Sequence, residues 1–436
     1  MTANSGDGSA SRVVAAQAID AVLHEGRSLK AVLAQQLSAI ADARDRALIE
    51  AICFHALRHA RRYRFVLRQW LARPLPAREH RLEALLLAGL AQLDAIALPA
   101  HAAVAATAEA ARGLRKPAFV GLVNALLRRA TRESLPVSDD PAIAHSYPDW
   151  LLRRLRVDWP QQWSEVLPAG NAIAPMWLRV NTAAITRERY LQRLHETQID
   201  AHAPAWPLAA LRLDEGVAAE SLPGWREGQV SVQDAAAQMA VAALDLRDGE
   251  RVLDLCCAPG GKAAAMLETA AVELLAIDDD ARRMRRVEDT LERLHFRRRA
   301  RLRVADGGDV DAWWDGQPFA AVLLDAPCSA TGIIRRQPDI KWHRREADLA
   351  ALVATQDRLL DAAWRVLASG GRLLYATCSI LREENDQRIA AFLARTPDAR
   401  ELPLDARYGH EVAPGRQRLP GEAGMDGFYY ARLVKK

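Results

Sequence analysis

The stretch Val252-Leu253-Asp254-Leu255-Cys256-Cys257-Ala258-Pro259-Gly260-Gly261-Lys262 decides how the second half of this chain folds. A short apolar run ends in a tight turn of small residues and passes into a helical pattern, as a buried parallel strand does when it enters a helix of an α/β sheet. Gly260 and Gly261 let the backbone approach a ligand closely, and the helix beyond them opens with free amide groups. A turn of this kind alone serves a dinucleotide, a nucleoside cofactor or plain strand-to-helix packing.

Downstream the pattern repeats. Leu274-Leu275-Ala276-Ile277, Leu302 to Val304, Ala321-Val322-Leu323-Leu324 and Leu373-Leu374-Tyr375 read as further buried parallel strands alternating with helices, so residues 229–436 predict a doubly wound α/β domain. Ligands of such sheets bind at the carboxyl ends of the strands. The second strand ends at Asp278, where a carboxylate can accept from both ribose hydroxyls of an adenosine-containing cofactor, and the third is followed by Asp306, placed to reach an adenine edge. The missing GxGxxG fingerprint argues against a dinucleotide. The fourth strand runs into Asp325-Ala326-Pro327-Cys328-Ser329-Ala330-Thr331-Gly332 and the fifth into Tyr375-Ala376-Thr377-Cys378-Ser379. Two cysteines 50 residues apart, each at a strand end, can converge on one cleft.

Upstream, residues 145–228 mix short apolar runs such as Trp177-Leu178-Arg179-Val180 with prolines and tryptophans, which predicts a small α+β subdomain. The segment Glu133 to Pro148, with three prolines and an acidic pair, reads as a linker. Residues from about Ser11 to Arg132 read as helices, within a helical domain of residues 11–135: Leu82, Leu85, Leu86, Leu90, Leu93 and Phe119, Leu122, Val123, Leu126 recur at the three- and four-residue steps of a buried helical face. The Gly/Ser-rich start is expected to be disordered.

A chain of 436 residues accommodates two or three domains. Half of it is apolar and 26% charged, a soluble globular balance. No apolar run reaches membrane-spanning length and the start lacks the blocks of a signal peptide, so a cytoplasmic protein is expected, with no membrane partner. A net charge of +4 permits a nucleic-acid partner without requiring one. Arginine supplies nearly all of the positive charge, since lysine occurs only at positions 30, 116, 262, 341, 435 and 436; this suits phosphate, and a GC-rich genome has the same effect. The five cysteines form no CxxC pair, so neither a disulfide framework nor a zinc site is indicated, and no metal is expected. Cys53, one helical turn after Ile49, reads as a core residue.

The set DLCCAPGGK (254–262), DAPCSATG (325–332) and YATCS (375–379), with NAIAPMWLRVN (171–181) before it and DGFYYARL (426–433) near the end, resembles the RNA 5-methylcytosine methyltransferases of the NOL1/NOP2/Sun group. The helical N-terminal third, with its FVGLVNALLRR run (119–129), is similar to the NusB-like RNA-binding domain. The resemblance covers nearly the whole chain. It implies a Rossmann-like class I methyltransferase domain with a mostly parallel sheet, S-adenosylmethionine as cofactor and a monomer acting on 16S rRNA, free or early in assembly, rather than DNA. Residues Cys256, Cys257, Ala258, Pro259, Gly260, Gly261, Lys262, Asp278, Arg283, Asp306 and Asp325 would then hold the cofactor. Cys378 would attack carbon 6 of a cytosine, Asp325 would hydrogen-bond the ring and Cys328 would assist release. Cys257 stands where relatives often have Ala and is not read as catalytic.

A base stacked in a duplex cannot reach such a site, so the target must be unstacked or single-stranded. Gly332 to Arg345, GIIRRQPDIKWHRR, is a candidate wall for the RNA backbone, with His343 on the surface; Arg179 and Asn181 are further candidates for RNA contacts. Three alternatives remain at this point. A DNA cytosine-5 methyltransferase would attack through Cys328, against which the Thr377-Cys378 pair speaks. An RNA-binding antitermination factor would leave the cofactor motifs unexplained, and a nicotinamide oxidoreductase would leave both thiols unexplained.

Overall fold

The structure, a computed structural model, describes residues 8–436; the first seven residues of the start expected to be disordered lie outside the described residues, and Ser9 already opens a helix. Among the described residues, nine α-helices precede the first strand: α1 (Ser9–Glu25), α2 (Leu29–Leu37), α3 (Ala43–Trp70), α4 (His80–Ala95), α5 (Ala100–Gly113), α6 (Val120–Ala130), α7 (Pro141–Ala144), α8 (Asp149–Asp158) and α9 (Trp163–Ala169). Then come β1 (Trp177–Val180), α10 (Arg187–Glu196), β2 (Ala201–His202), β3 (Ala210–Leu213), β4 (Val230–Val232) and α11 (Ala235–Leu244). The remainder alternates: β5 (Arg251–Leu255), α12 (Gly261–Thr269), β6 (Glu273–Asp278), α13 (Ala281–Arg293), β7 (Ala300–Val304), β8 (Phe319–Asp325), α14 (Ile340–His343), α15 (Asp348–Val366), β9 (Leu367–Thr377) and α16 (Asp386–Arg395). Four more strands close the chain: β10 (Ala399–Glu401), β11 (His410–Glu411), β12 (Arg416–Arg418) and β13 (Phe428–Lys435).

Two compact units result, one comprising residues up to Asn171 together with Ile334–Glu346, the other Ala172–Ile333 with Ala347–Lys436. The first is helical. Its core joins the inward stripes of α1, α3 and α4, with Ile19, Ile49, Ile52, Leu85 and Leu86 fully buried, each contributing about 1.5–3 kcal/mol by leaving water. Cys53 lies in this core, and burial pushes its thiol far above the usual range.

The segment Ile334–Glu346 completes the same unit. Lys341 Nζ donates to the Arg58 carbonyl (2.8 Å) and Asn171 Oδ1 (2.7 Å), Arg58 donates to the Arg335 carbonyl (2.9 Å), and Trp342 Nε1 donates to the Leu57 carbonyl (3.0 Å). Asp339 accepts from the Leu29 amide at the start of α2 (3.2 Å). This removes two cations from the expected RNA wall: Arg335 and Lys341 are each only 2% exposed, whereas Arg336 and Arg344 are half-buried and Arg345 is exposed. His343, expected at the surface, is half-buried with Nε2 2.9 Å from the Val22 carbonyl.

In the second unit, a four-stranded antiparallel sheet of order β2-β3-β1-β4 is covered by α10 through Tyr190 and Leu194. The larger sheet has nine strands in the order β11-β12-β13-β9-β8-β5-β6-β7, with β10 paired to β13. From β9 to β7 it is parallel, and all five expected apolar runs lie in those strands. Strand β7 is the exception to their expected burial: it forms the edge, and Val304 is 49% exposed. The antiparallel end was not expected. Its main strand β13 pairs with β9 from Tyr429 opposite Thr377 to Val434 opposite Arg372, placing Tyr429 and Tyr430 in the core.

Candidate active site

The chain builds the parallel sheet outward from β5, first through β6 to β7 and then through β8 to β9 on the other side. Strand order therefore reverses between β5 and β8, and a crevice opens where their carboxyl ends diverge. Leu255 sits opposite Leu324, and Asp325 opposite Ala376, so the loops after β5, β8 and β9 leave the sheet side by side.

The loop after β5 makes its turn with Cys256 at φ +66° and Gly260 at φ +96°. Gly260 lies so close to α13 that an added Cβ would stand 3.0 Å from Val287 Cα. Arg179 braces the loop from behind, bonding both oxygens of Glu268 (2.7 and 2.9 Å), the Gly261 carbonyl (2.6 Å) and Gln233. At 2% exposure it is a buried strut rather than the RNA contact expected. Asn181 is likewise engaged internally, donating to the Gly228 carbonyl (2.8 Å). Cys257 packs in the core beneath the loop, and burial followed by the nearby aspartates pushes the thiols of Cys256 and Cys257 far upward.

Asp278 accepts from the Ala258 amide (3.2 Å) and pairs with Arg283 (3.2 Å), which ties the β6 end to the β5 loop. Burial raises its carboxyl despite Arg283. Lys262 bonds Asp325 at 2.5 Å with its ammonium 5.2 Å from the Phe428 ring centre. Burial disfavours that ammonium, yet the Asp325 charge outweighs it and the lysine is held above its usual range. Asp306 stands apart. Its side chain is 52% exposed, bonds Arg358 (2.8 Å) and the Gly308 amide (2.9 Å), and is lowered by the Arg358 hydrogen bond.

Asp254, a strand residue of β5, was not singled out in the sequence. It is fully buried and neither carboxylate oxygen has a hydrogen-bond partner, which is costly unless a ligand supplies one. Burial pushes it up to about 8, with Lys262 opposing and Asp325 and Asp278 adding to the rise. An unsatisfied carboxylate below Lys262, beside a carboxylate able to bind a ribose, fits a cofactor that carries a nucleoside and a positive charge.

On the other side of the crevice the Sγ atoms of Cys328 and Cys378 are 3.5 Å apart. Cys328 is raised far above the usual thiol range, first by its hydrogen bond with Cys378, then by burial and the charges of Cys378 and Glu384. Their backbones are locked together: the Gly332 amide donates to the Cys378 carbonyl (2.8 Å) and the Gly427 amide to the Gly332 carbonyl (3.0 Å). Any Cβ on Gly332 would lie 2.3 Å from the Gly427 oxygen, so the Asp426-Gly427-Phe428 turn contributes to this wall. Beneath it, Glu384 and Asn385 bind the residues flanking both cysteines, and sequence reasoning missed them. The signal available was a serine after each cysteine, with Glu384 and Asn385 a few residues beyond the second.

Among the described residues no cluster of metal-ligating side chains occurs, and no helix is long and apolar enough to cross a membrane. A family model described as 16S rRNA methyltransferase RsmB/F matches residues 241–434, a ferredoxin-like domain of RsmF/B-like methyltransferases matches 147–220, and the NusB family matches 9–132. A ribosomal RNA small subunit methyltransferase B of Xanthomonas campestris is 53% identical, covering 98% of each chain; that of Pseudomonas putida is 46% identical, covering 97% of this chain and 98% of its own. A crystal structure of a methyltransferase homolog protein from Pyrococcus horikoshii, 27% identical, matches with a TM-score of 0.61 over 68% of this chain and 98% of that one. Another solved structure, 23% identical, shares the fold with a TM-score of 0.82 over 97% of this chain and 99% of its own.

Proposed function

This chain belongs to the RsmB/F family of 16S rRNA methyltransferases, and from that premise we propose that it methylates carbon 5 of a cytosine, position 967 of 16S rRNA, through a covalent adduct on Cys378. Supporting this reading above all is the 3.5 Å approach of the Cys328 and Cys378 thiols at the rim of the crevice. Carbon 5 of cytosine is too weak a nucleophile to take a methyl group unaided. Addition of the Cys378 thiolate to carbon 6 moves electron density to carbon 5. Asp325, bonded to Lys262, passes a proton from the Lys262 ammonium to nitrogen 3, which neutralises the charge that develops on the ring.

S-adenosylmethionine, bound by the Cys256–Lys262 loop with Asp278, Arg283, Asp306 and Asp325, supplies an electrophilic methyl group. Asp278 suits its ribose hydroxyls and Asp254 its α-ammonium group. Once carbon 5 carries the methyl, a solvent base takes its proton, the C5–H electron pair re-forms the C5–C6 double bond, the C6–Sγ bond breaks to return Cys378 as thiolate, and nitrogen 3 gives its proton back to the Asp325–Lys262 pair. Cys328, held as a neutral thiol against Cys378, assists that departure. The protein acts as a cytoplasmic monomer on RNA whose target is unstacked.

RNA carrying 5-fluorocytosine at the target cannot lose the carbon 5 substituent and traps the adduct. The wild-type chain and Cys328→Ala should both be captured and Cys378→Ala should not; capture through Cys328 instead sinks the assignment. Mapping 5-methylcytosine in rRNA of a deletion strain tests the position, and a missing mark at another rRNA or tRNA cytosine would redirect it.

A further inference from the structure

Glu384 ends the short turn Arg382–Glu384 and is fully buried. A carboxylate withdrawn from water is costly unless donors satisfy its lone pairs. Here four do. Oε1 accepts from the Ser329 amide (2.8 Å) and Gln356 Nε2 (3.1 Å); Oε2 accepts from the hydroxyls of Ser329 (2.6 Å) and Ser379 (2.5 Å). Ser329 directly follows Cys328 and Ser379 directly follows Cys378. One carboxylate therefore holds the residue after each thiol, on turns that leave two neighbouring strands. Thr331 Oγ1 spans the same gap, meeting Ser379 Oγ (3.2 Å) and accepting from the Ile380 amide (3.1 Å).

We infer that Glu384 is a positioning residue for the reaction, clamping the Cys328-Ser329 turn to the Cys378-Ser379 turn and thereby setting the separation of the two thiols. The inference rests on the two-thiol chemistry proposed above. Only a carboxylate fits all four bonds without a donor of its own; a glutamine would turn an N–H toward one of these donors and force hydroxyls to reorient. The Glu384 charge also bears on the division of labour, because it is among the causes that keep Cys328 protonated beside its partner.

The test uses the full chain with a 16S rRNA fragment, and a second readout independent of methylation. Diamide closes two adjacent thiols into a disulfide, taking up the two thiol protons and two electrons, so its rate reports their approach. For Glu384→Gln we expect kcat to fall about 10²-fold with KM for RNA and cofactor within about twofold, and closure of Cys328 with Cys378 to slow about tenfold. Ser329→Ala should slow release and accumulate the RNA adduct, whereas Ser379→Ala should slow adduct formation. If Glu384→Gln does not fold, the serine variants decide. Glu384→Gln with kcat and closure both within about twofold of wild type, or serine variants equally silent, overturns the inference. A wild-type chain that methylates no cytosine would defeat the activity reading instead, and closure rates would still judge the clamp.

Discussion

The two walls of the crevice differ in how completely they are satisfied. Behind the thiols, Glu384 takes four donors, and Asn385 accepts from Thr377 Oγ1 while donating to the Ser379 carbonyl and Gln417, so both side chains are satisfied by protein alone. Beneath the glycine loop, Asp254 is as deeply buried as Glu384 and has no donor at all. Equal burial with opposite satisfaction separates two uses of a carboxylate. One fixes protein against protein, and the other waits for a ligand to complete it.

The comparison can be broken from either side. Cys378→Ala should lower methyl transfer at least about 10⁴-fold in single-turnover assays while calorimetry finds cofactor affinity within about twofold, because the thiol wall is not where the cofactor is held. Arg179→Ala would leave Glu268 buried without its cation, and thermal unfolding should show a loss of about 3–5 kcal/mol. Asp254→Asn should weaken cofactor binding roughly 10–100-fold by calorimetry.

That variant also has a pH signature. Asp254 titrates at about 8 when folded, against about 3.9 in an unfolded chain, so the unfolded state releases the proton first. Ligand-free stability is then fully present below about 4 and declines as pH rises toward about 8. Denaturation midpoints across this window should flatten in Asp254→Asn, and cofactor binding by the wild-type chain at pH 7 should release a proton, seen as a buffer-dependent enthalpy. Persistence of the slope in Asp254→Asn would falsify the idea of an incomplete carboxylate. Smallest of all, Cys53→Ala should cost about 1 kcal/mol by thermal unfolding with methyl transfer within about twofold, as a buried thiol remote from chemistry requires.

Much of the architecture was legible because parallel strands buried on both faces must be apolar runs, and those runs stand out between charged helices. Asp278, Asp325, Cys328 and Cys378 were legible because each sits at or just beyond a strand end, where sheet topology makes position informative. What stayed hidden depends on partners distant in sequence. Nothing in Trp177-Leu178-Arg179-Val180 announces that the guanidinium meets Glu268, and a solvated basic loop and the buried segment Ile334–Glu346 look alike in composition. Asp254 opens the motif that runs to Lys262, yet it lies within β5, a strand whose interior accepts a carboxyl only in a special setting. The C-terminal antiparallel strands are short or aromatic and lack a clean alternation.

The excursion of Ile334–Glu346 into the helical unit imposes an order in time. A ribosome makes the first nine helices early, and they can collapse as soon as they emerge. Yet the Arg58 and Leu57 carbonyls and the amide that opens α2 receive Lys341, Trp342 and Asp339 only after more than 160 further residues have been translated. The domain synthesised first is thus among the last to be finished, and a nascent chain arrested before residue 339 carries it in an unsealed form.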